Sequence, residues 1–214
     1  MPLPFRLLAI GDRGQATTSA VRDLAEAGGP AVALLLRDRR LSPPERVEWA
    51  RELLPICRAS GTLLLVHASP EAALRAGADG VHLPGGASVR EARARLGPGL
   101  LVGASRHDGA GVREAAEAGA SYATLSPVFE SPGKGMPLGL EAFAAVARTA
   151  PLPVVALGGV RPERCAACFE AGAAAVAAIG AVWDGDPSGL LRASWPEVRR
   201  DGEGSAHPHR RTHP

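Results

Sequence analysis

Two short segments carry residues of the kind that hold phosphate. Gly158 and Gly159 directly follow the apolar run PVVAL, and Ile179 and Gly180 end the run VAAIG. Glycines placed there expose backbone N–H groups with no side chain in the way, an arrangement that binds phosphate without needing a lysine. Three cations accompany them. Arg37 and Arg39 follow the run ALLL, and Lys134 lies in ESPGKG, where its glycine neighbours would let a loop close over a ligand. A doubly anionic or diphosphate group suits that set. His67, His82 and His107, the last close to Ser105, also stand at the ends of apolar runs, and an imidazole that titrates near neutral pH suits proton transfer.

The elements that must position these residues follow from a repeated phrase. An alanine-rich helical stretch ends at Ala-Gly and a short apolar run follows at once, in LAEAGGPAVALLL (24–36), LRAGADGVHL (74–83), EAGASYATL (117–125) and EAGAAAVAAI (170–179). Glycine suits the left-handed position just past a helix, and four to seven apolar residues after it suit a strand buried on both faces. Four further runs, FRLLAI (5–10), GTLLLV (61–66), LLVGA (100–104) and PVVAL (153–157), bring the strands to eight. Helical periodicity fills the intervals, for example Val47, Ala50, Leu53, Leu54 and Cys57. Strict alternation predicts an α/β chain with a parallel sheet, and eight even units close into a single (β/α)8 TIM barrel over residues 1–199. The first strand is not followed by the G-x-G-x-x-G of an open dinucleotide-binding sheet. Residues 200–214 are polar, contain proline and lack periodicity, and read as a disordered tail in which His207, His209 and His213 face solvent. In such barrels active sites form at the C-terminal ends of the strands, where the candidate residues lie.

Composition narrows the partners. With 24 basic and 22 acidic residues scattered along 214, there is no basic stripe for nucleic acid. No apolar run approaches the roughly 18 residues that a membrane span needs, and the first residues do not read as a signal peptide, so a cytoplasmic protein is expected. Cys57, Cys165 and Cys168 are expected to remain thiols, with the C-x-x-C pair on a helix as small core residues rather than zinc ligands. Oligomeric state is left open.

The chain resembles the thiamin phosphate synthase and TenI superfamily, through GADGVHLP (77–84), SPVFESPGKG (126–135), PVVALGGV (153–160) and EAGAAAVAAIGAV (170–182), in that order. The resemblance implies a barrel that binds a thiazole phosphate, with Gly158, Gly159, Ile179, Gly180, Ser105 and Lys134 at matching positions and Ser131 where the synthase pattern tends to have threonine. The basic positions of the strand-two motif survive as Arg37 and Arg39, while its glutamine is Leu35 here. The resemblance also implies magnesium held by carboxylates, yet the pattern's Asn-Asp pair reads His67-Ala68 and its next aspartate reads Ala87. Alanine offers no oxygen ligand, so no metal site is expected from these positions. Asp12, Asp38 or Glu130 would have to compensate. The TenI pattern has a histidine where Pro127 stands.

The leading expectation is therefore a TenI-like, thiazole tautomerase-like member that works without a cofactor on a phosphorylated thiamin precursor. Its candidate catalytic residues are Lys134, His107, His67 and His82, and its binding residues Arg37, Arg39, Ser105, Ser131, Gly158, Gly159, Ile179 and Gly180. The alternatives are a magnesium-dependent thiamin-phosphate synthase, which condenses hydroxymethylpyrimidine diphosphate with thiazole phosphate and releases pyrophosphate, and a non-catalytic precursor-binding or partner protein.

Overall fold

The computed structural model describes residues 2–184 and 187–194. Within them the chain alternates β1 (Leu7–Gly11), α1 (Thr18–Gly28), β2 (Val32–Leu36), α2 (Pro43–Ser60), β3 (Leu63–His67), α3 (Pro70–Ala76), β4 (Gly80–Leu83), α4 (Val89–Leu96), β5 (Leu101–Arg106), α5 (Gly109–Glu117), β6 (Tyr122–Leu125), α6 (Gly139–Ala147), β7 (Val154–Leu157), α7 (Pro162–Glu170), β8 (Ala175–Ala178), the one-turn α8 (Gly180–Trp183) and α9 (Ser188–Ser194). The eight strands pair in order, all parallel, and β8 closes on β1. The (β/α)8 barrel read from the repeat is the fold found. Residues 195–199 of the expected domain, and the whole of the tail expected at 200–214, lie outside the described residues.

Local sequence explains where the helices begin. Thr17, Ser69, Ser88 and Asp108 each accept a hydrogen bond from a backbone N–H in the first turn of the helix that follows. These caps satisfy donors that a helix N-terminus otherwise leaves unpaired. Ser42 is instead tied by its N–H to the Glu45 carboxylate at 2.7 Å at the start of α2. The last outer helix is α9, which packs against α7 and α1 and so completes the ring, while α8 is a single turn at the rim. Arg6 stacks its guanidinium 4.2 Å from the Phe169 ring centroid and bonds to the carbonyls of Ala174 and Ser194.

Alternation along each strand sorts side chains into two cores. Leu7, Ala9, Leu34, Val66, Val81 and Val102 face the helices, and Cys57, Cys165 and Cys168 are free thiols buried in that layer, as expected. Phe5, Leu8, Ile10, Ala33, Leu35, Leu65, Tyr122, Val155, Ala175 and Ala177 fill the lumen. The lumen also contains a polar column. The fully buried Tyr122 ring meets Phe5 edge-on, with centroids 5.5 Å apart, and its hydroxyl lies 3.0 Å from His82 Nδ1. His82 Nε2 lies 3.0 Å from Ser105 Oγ. Gly103 makes room for this column, since a Cβ there would overlap the Tyr122 phenol and the His82 ring.

The column settles the proton positions. The Tyr122 hydroxyl has His82 Nδ1 as its hydrogen-bond partner among the described residues, so the phenol must donate to it. Nδ1 is then unprotonated, and Nε2–H donates to Ser105 Oγ. Ser105 is thereby barred from donating downward, and its own proton points elsewhere.

One lumen group has no partner: Thr124 Oγ1, between Tyr122 and Ser126 on the inward face of β6, is buried without a hydrogen bond among the described residues. An unpaired buried hydroxyl costs about 1–3 kcal/mol. Thr124→Val keeps the shape and removes that cost, so the expected result is a gain of about 1 kcal/mol in urea unfolding. A loss of stability would show that the hydroxyl is satisfied. Burial also pushes the His82 imidazole down to about 3, with lesser contributions from His67, Arg37 and Arg106. Below pH 6.5 the unfolded chain gains a proton that the folded ring refuses, so stability is present above pH 6.5 and is lost as pH falls below it. His82 should contribute a drop of roughly 1 kcal/mol per pH unit in the unfolding free energy from 6.5 toward 4.5, to which the buried His67, lowered to about 4, adds. A flat profile over that window would place His82 in contact with water.

Candidate functional site

Strand parity brings the candidate residues together. The inward positions at the C-terminal strand ends are Ile10, Leu35, His67, His82, Ser105, Ser126, Leu157 and Ile179, and all of them line a cavity of about 210 Å³ at the barrel mouth. Arg37, Arg39, His107, Ser131, Lys134 and Gly158 complete its wall. A second cavity of about 790 Å³ opens beside it, between the loops after β7 and β8, and contains Gly158, Gly159, Ile179 and Gly180. Ser131, Lys134, Leu157, Gly158 and Ile179 border both cavities. Every candidate catalytic and binding residue named from the sequence therefore borders one of two adjoining cavities, while Asp12, Asp38 and Glu130 border neither.

The glycines have a second reason to be glycine. Gly158 and Gly159 hold φ of +100° and +64°, and a Cβ would come within 2.7 Å of Pro127 Cα at the first and 2.5 Å of the Glu130 carbonyl oxygen at the second. The loop after β6, which begins at the cis Ser126–Pro127 bond, lies directly against them, with Phe129 N–H donating to the Gly158 carbonyl. Arg164 takes the Gly159 carbonyl at 2.7 Å. Both carbonyl oxygens are thus engaged by protein donors. The glycine identities reflect close backbone packing, and this pair supports a phosphate site only through its place on the cavity wall.

On the opposite wall the charges sort by partner. Asp38, buried between Arg37 and Arg39 in sequence, turns to Arg40, whose Nε and Nη2 reach its two oxygens at 2.9 and 2.7 Å. The Arg40 N–H (2.9 Å) and the Arg13 N–H (3.4 Å) donate to it as well. These bonds, Arg40's side chain foremost, hold the Asp38 carboxyl well below the usual carboxylate range. Arg37 and Arg39 form no ion pair among the described residues. Burial, and next the Arg39 charge, lower the Arg37 pKa, as expected of a cation awaiting an anion. Arg40 was not singled out from the sequence, where RDRR offers no sign of which arginine Asp38 would choose.

The three histidines differ. His82 sits inside β4 rather than after it, in the lumen column, and burial keeps it neutral. His67 ends β3, is the direct register neighbour of His82, and is nearly buried. Burial first, then Arg37, Arg46 and Arg39, push its imidazole down to about 4. His107 is exposed at the rim, with Nδ1 2.6 Å from the Ser126 carbonyl oxygen. A carbonyl only accepts, so Nδ1 carries the proton and Nε2 keeps the ring's free lone pair. His107 therefore presents its Nε2 lone pair at the rim.

The residues present do not fit a resident magnesium ion. Ala68 and Ala87 border a cavity of about 200 Å³ and offer no side-chain oxygen, which leaves the exposed Glu91, beside Arg95, as the carboxylate on its wall. Ala68 holds φ +63°, a conformation that asparagine and aspartate adopt more readily than alanine. The three carboxylates named as substitutes do not replace them. Asp38 is taken by Arg40, Asp12 accepts the N–H groups of Gly14 and Gln15 and lies 3.6 Å from Arg40, and Glu130 is exposed on the loop after β6. Among the described residues no group of three or more His, Cys, Asp or Glu side chains is gathered to hold a metal, and no helix is long and apolar enough to cross a membrane.

Comparison with known proteins agrees with this geometry. The model of the family described as thiamine monophosphate synthase matches residues 7–182. A putative thiamine-phosphate synthase of Geobacter sulfurreducens is 38% identical over 197 residues, covering 88% of this chain and 92% of the relative. A thiamine biosynthesis bifunctional protein ThiM/ThiE of Symbiobacterium thermophilum is 42% identical over 176 residues, which are 79% of this chain and only 37% of that longer protein. Among solved structures, thiamine phosphate pyrophosphorylase from Pyrococcus furiosus superposes with a TM-score of 0.79 at 26% identity, covering 91% of this chain and 95% of that one. With a family match across almost all of the barrel and relatives of this likeness along most of its length, the chain belongs to the thiamine monophosphate synthase family.

Proposed function

We propose that the protein is a thiamine-phosphate synthase, joining a hydroxymethylpyrimidine carried as its diphosphate to a thiazole phosphate and releasing pyrophosphate. This replaces the tautomerase as the leading reading. The observation that carries it is the pair of adjoining cavities, one flanked by the β7 and β8 loops and the other by unpaired arginines, with Lys134 on the wall of both. A reaction that unites two phosphorylated molecules needs two anion sites that open on each other. The names of the Geobacter and Pyrococcus relatives support the same reading.

In this reading the thiazole phosphate lies against Gly158, Gly159, Ile179 and Gly180, with the Ser131 hydroxyl within the same wall. Arg37 and Arg39 receive the diphosphate. Positive charge placed where a diphosphate departs lowers the barrier to its departure, and Lys134 can reach the bridging region from the loop after β6. Ile10, Leu35 and Leu157 form a dry apolar wall that keeps water from an electron-poor pyrimidine methylene. Ser105, its oxygen already accepting from His82, is left to donate upward to a ligand oxygen or ring nitrogen.

One observation favours a second reading, proton transfer on a carboxylated thiazole phosphate: His107 holds a free Nε2 at the rim. The two are separated by incubating the protein with both synthase precursors, with and without magnesium, and separately with the carboxylated tautomer. Thiamine phosphate and pyrophosphate should form in equal amounts. Tautomer turnover that is lost in His107→Asn, with no condensation, would establish the second reading, and precursor binding without any turnover would leave a binding protein. For the synthase, Arg37→Ala should raise KM for the pyrimidine diphosphate by about tenfold to a hundredfold, the loss of a charge-assisted hydrogen bond, and leave KM for the thiazole phosphate within about twofold. Lys134→Ala, bordering both cavities, should lower kcat by about tenfold or more. An Arg37→Ala enzyme that lost thiazole phosphate affinity instead would reverse the assignment of the two anion sites.

A further inference from the structure

The smaller cavity at the mouth of this barrel is lined by cations and by no carboxylate, whereas Glu163 and Asp184 border the larger one. Arg37 and Arg39 line the smaller cavity and form no ion pair among the described residues. Asp38, the acid closest to them in sequence, has its carboxylate filled by Arg40. His67 lines the same cavity and forms no hydrogen bond through its ring among the described residues. The charged and titratable groups that act on it or share its cavity are Arg37 and Arg39 from the segment after β2, Arg46 from α2, the neutral His82 from β4, His107 from the segment after β5 and Lys134 from the loop after β6. None is an acid. The residue that follows it is Ala68, and Ala87 stands across the small cavity beyond.

We propose that this mouth binds a diphosphate without a metal ion, and that His67 supplies part of the charge a metal would bring by taking up a proton as the anion enters. The proposal rests on the reading of Arg37 and Arg39 as the diphosphate side of the site. The balance is simple: the ring nitrogen gains up to one proton from buffer for each diphosphate bound, and no bond within either partner breaks. Before binding, burial and three arginines oppose a charge on His67. A bound polyanion cancels those arginines and reverses the sign of the local field, so the protonated ring becomes the favoured form in the complex. Binding then strengthens as pH falls, in the interval between the free-state titration of His67 and its higher titration in the complex. A magnesium ion bridging diphosphate to carboxylates would show the opposite dependence, because acidification removes its ligands.

Titration calorimetry of the full chain with inorganic pyrophosphate alone tests this, in buffers of differing ionisation enthalpy and with either EDTA or magnesium. The expected result is binding in EDTA with a dissociation constant within about threefold of that in magnesium, and a proton uptake at pH 6.5 that falls by about half a proton or more in His67→Gln. The His67→Gln variant should bind several-fold more weakly at pH 6.5 and nearly as well as the parent protein at pH 8. Magnesium tightening of about tenfold or more, absence of pyrophosphate binding in EDTA, or unchanged proton uptake in His67→Gln would each overturn the proposal. If His67→Gln does not fold, histidine ring NMR on the unaltered protein decides. A His67 ring that becomes protonated on addition of pyrophosphate supports the proposal, and one that stays neutral rejects it. Neither measurement depends on turnover, so a protein that bound pyrophosphate in this way yet formed no thiamine phosphate would refute the synthase reading and keep this one.

Discussion

The hydrogen-bonded column Tyr122–His82–Ser105 is the constraint on which the barrel mouth depends. A closed eight-stranded barrel must fill its lumen with side chains, and here the filling is partly polar, with Tyr122 and His82 wholly buried and Gly103 absent of side chain to admit them. Polar groups at that depth must be paired, and pairing three of them in series leaves one arrangement of protons. The bottom of the column is anchored by Phe5 against the Tyr122 ring, and its top is the floor of the cavity. What begins as a packing requirement ends by deciding which way a serine hydroxyl points at the site.

Above that floor the decisive term is charge. Asp38 and Arg40 form a closed pair in which a buried carboxylate is saturated by donors, and this withdraws Asp38 from Arg37 and Arg39. Two guanidiniums that form no ion pair among the described residues raise each other's energy on a half-enclosed wall, and an anionic ligand relieves it. The family resemblance would place carboxylates and a metal in the same neighbourhood. With alanine at 68 and 87 the local field has the other sign, which changes how a diphosphate would be held while leaving the ligand class intact.

The two proposed anion sites also differ in how they are built. One is a wall of side-chain cations on the segment after β2. The other is backbone, shaped by the press of the β6 loop against Gly158 and Gly159, and it is bordered by Ile179 and Gly180 on the neighbouring strand end. Backbone sites of this kind are rigid because the turn that forms them is itself tightly packed. Lys134 belongs to the exposed loop between them, so the cation that borders both cavities is carried by an exposed segment of the mouth.

The sequence by itself determined the alternation of strands and helices, the closed barrel and the positions at which strands end. Those are local properties: apolar runs of strand length, Ala-Gly junctions and helical periodicity mark each element without reference to the rest of the chain. Cations at Arg37, Arg39 and Lys134, and alanines at 68 and 87, were legible for the same reason. The tertiary structure decided what depended on partners distant in sequence. It put His82 inside the lumen because closure of the barrel turned that parity of β4 inward and brought Tyr122, forty residues on, beneath it. It gave Asp38 to Arg40 rather than to either flanking arginine, fixed the tautomers of His82 and His107, and explained Gly158 and Gly159 by the backbone lying against them. Each of these is a choice among groups that sequence spacing leaves equally available, and only the register of neighbouring strands and the path of the loops removes the choice.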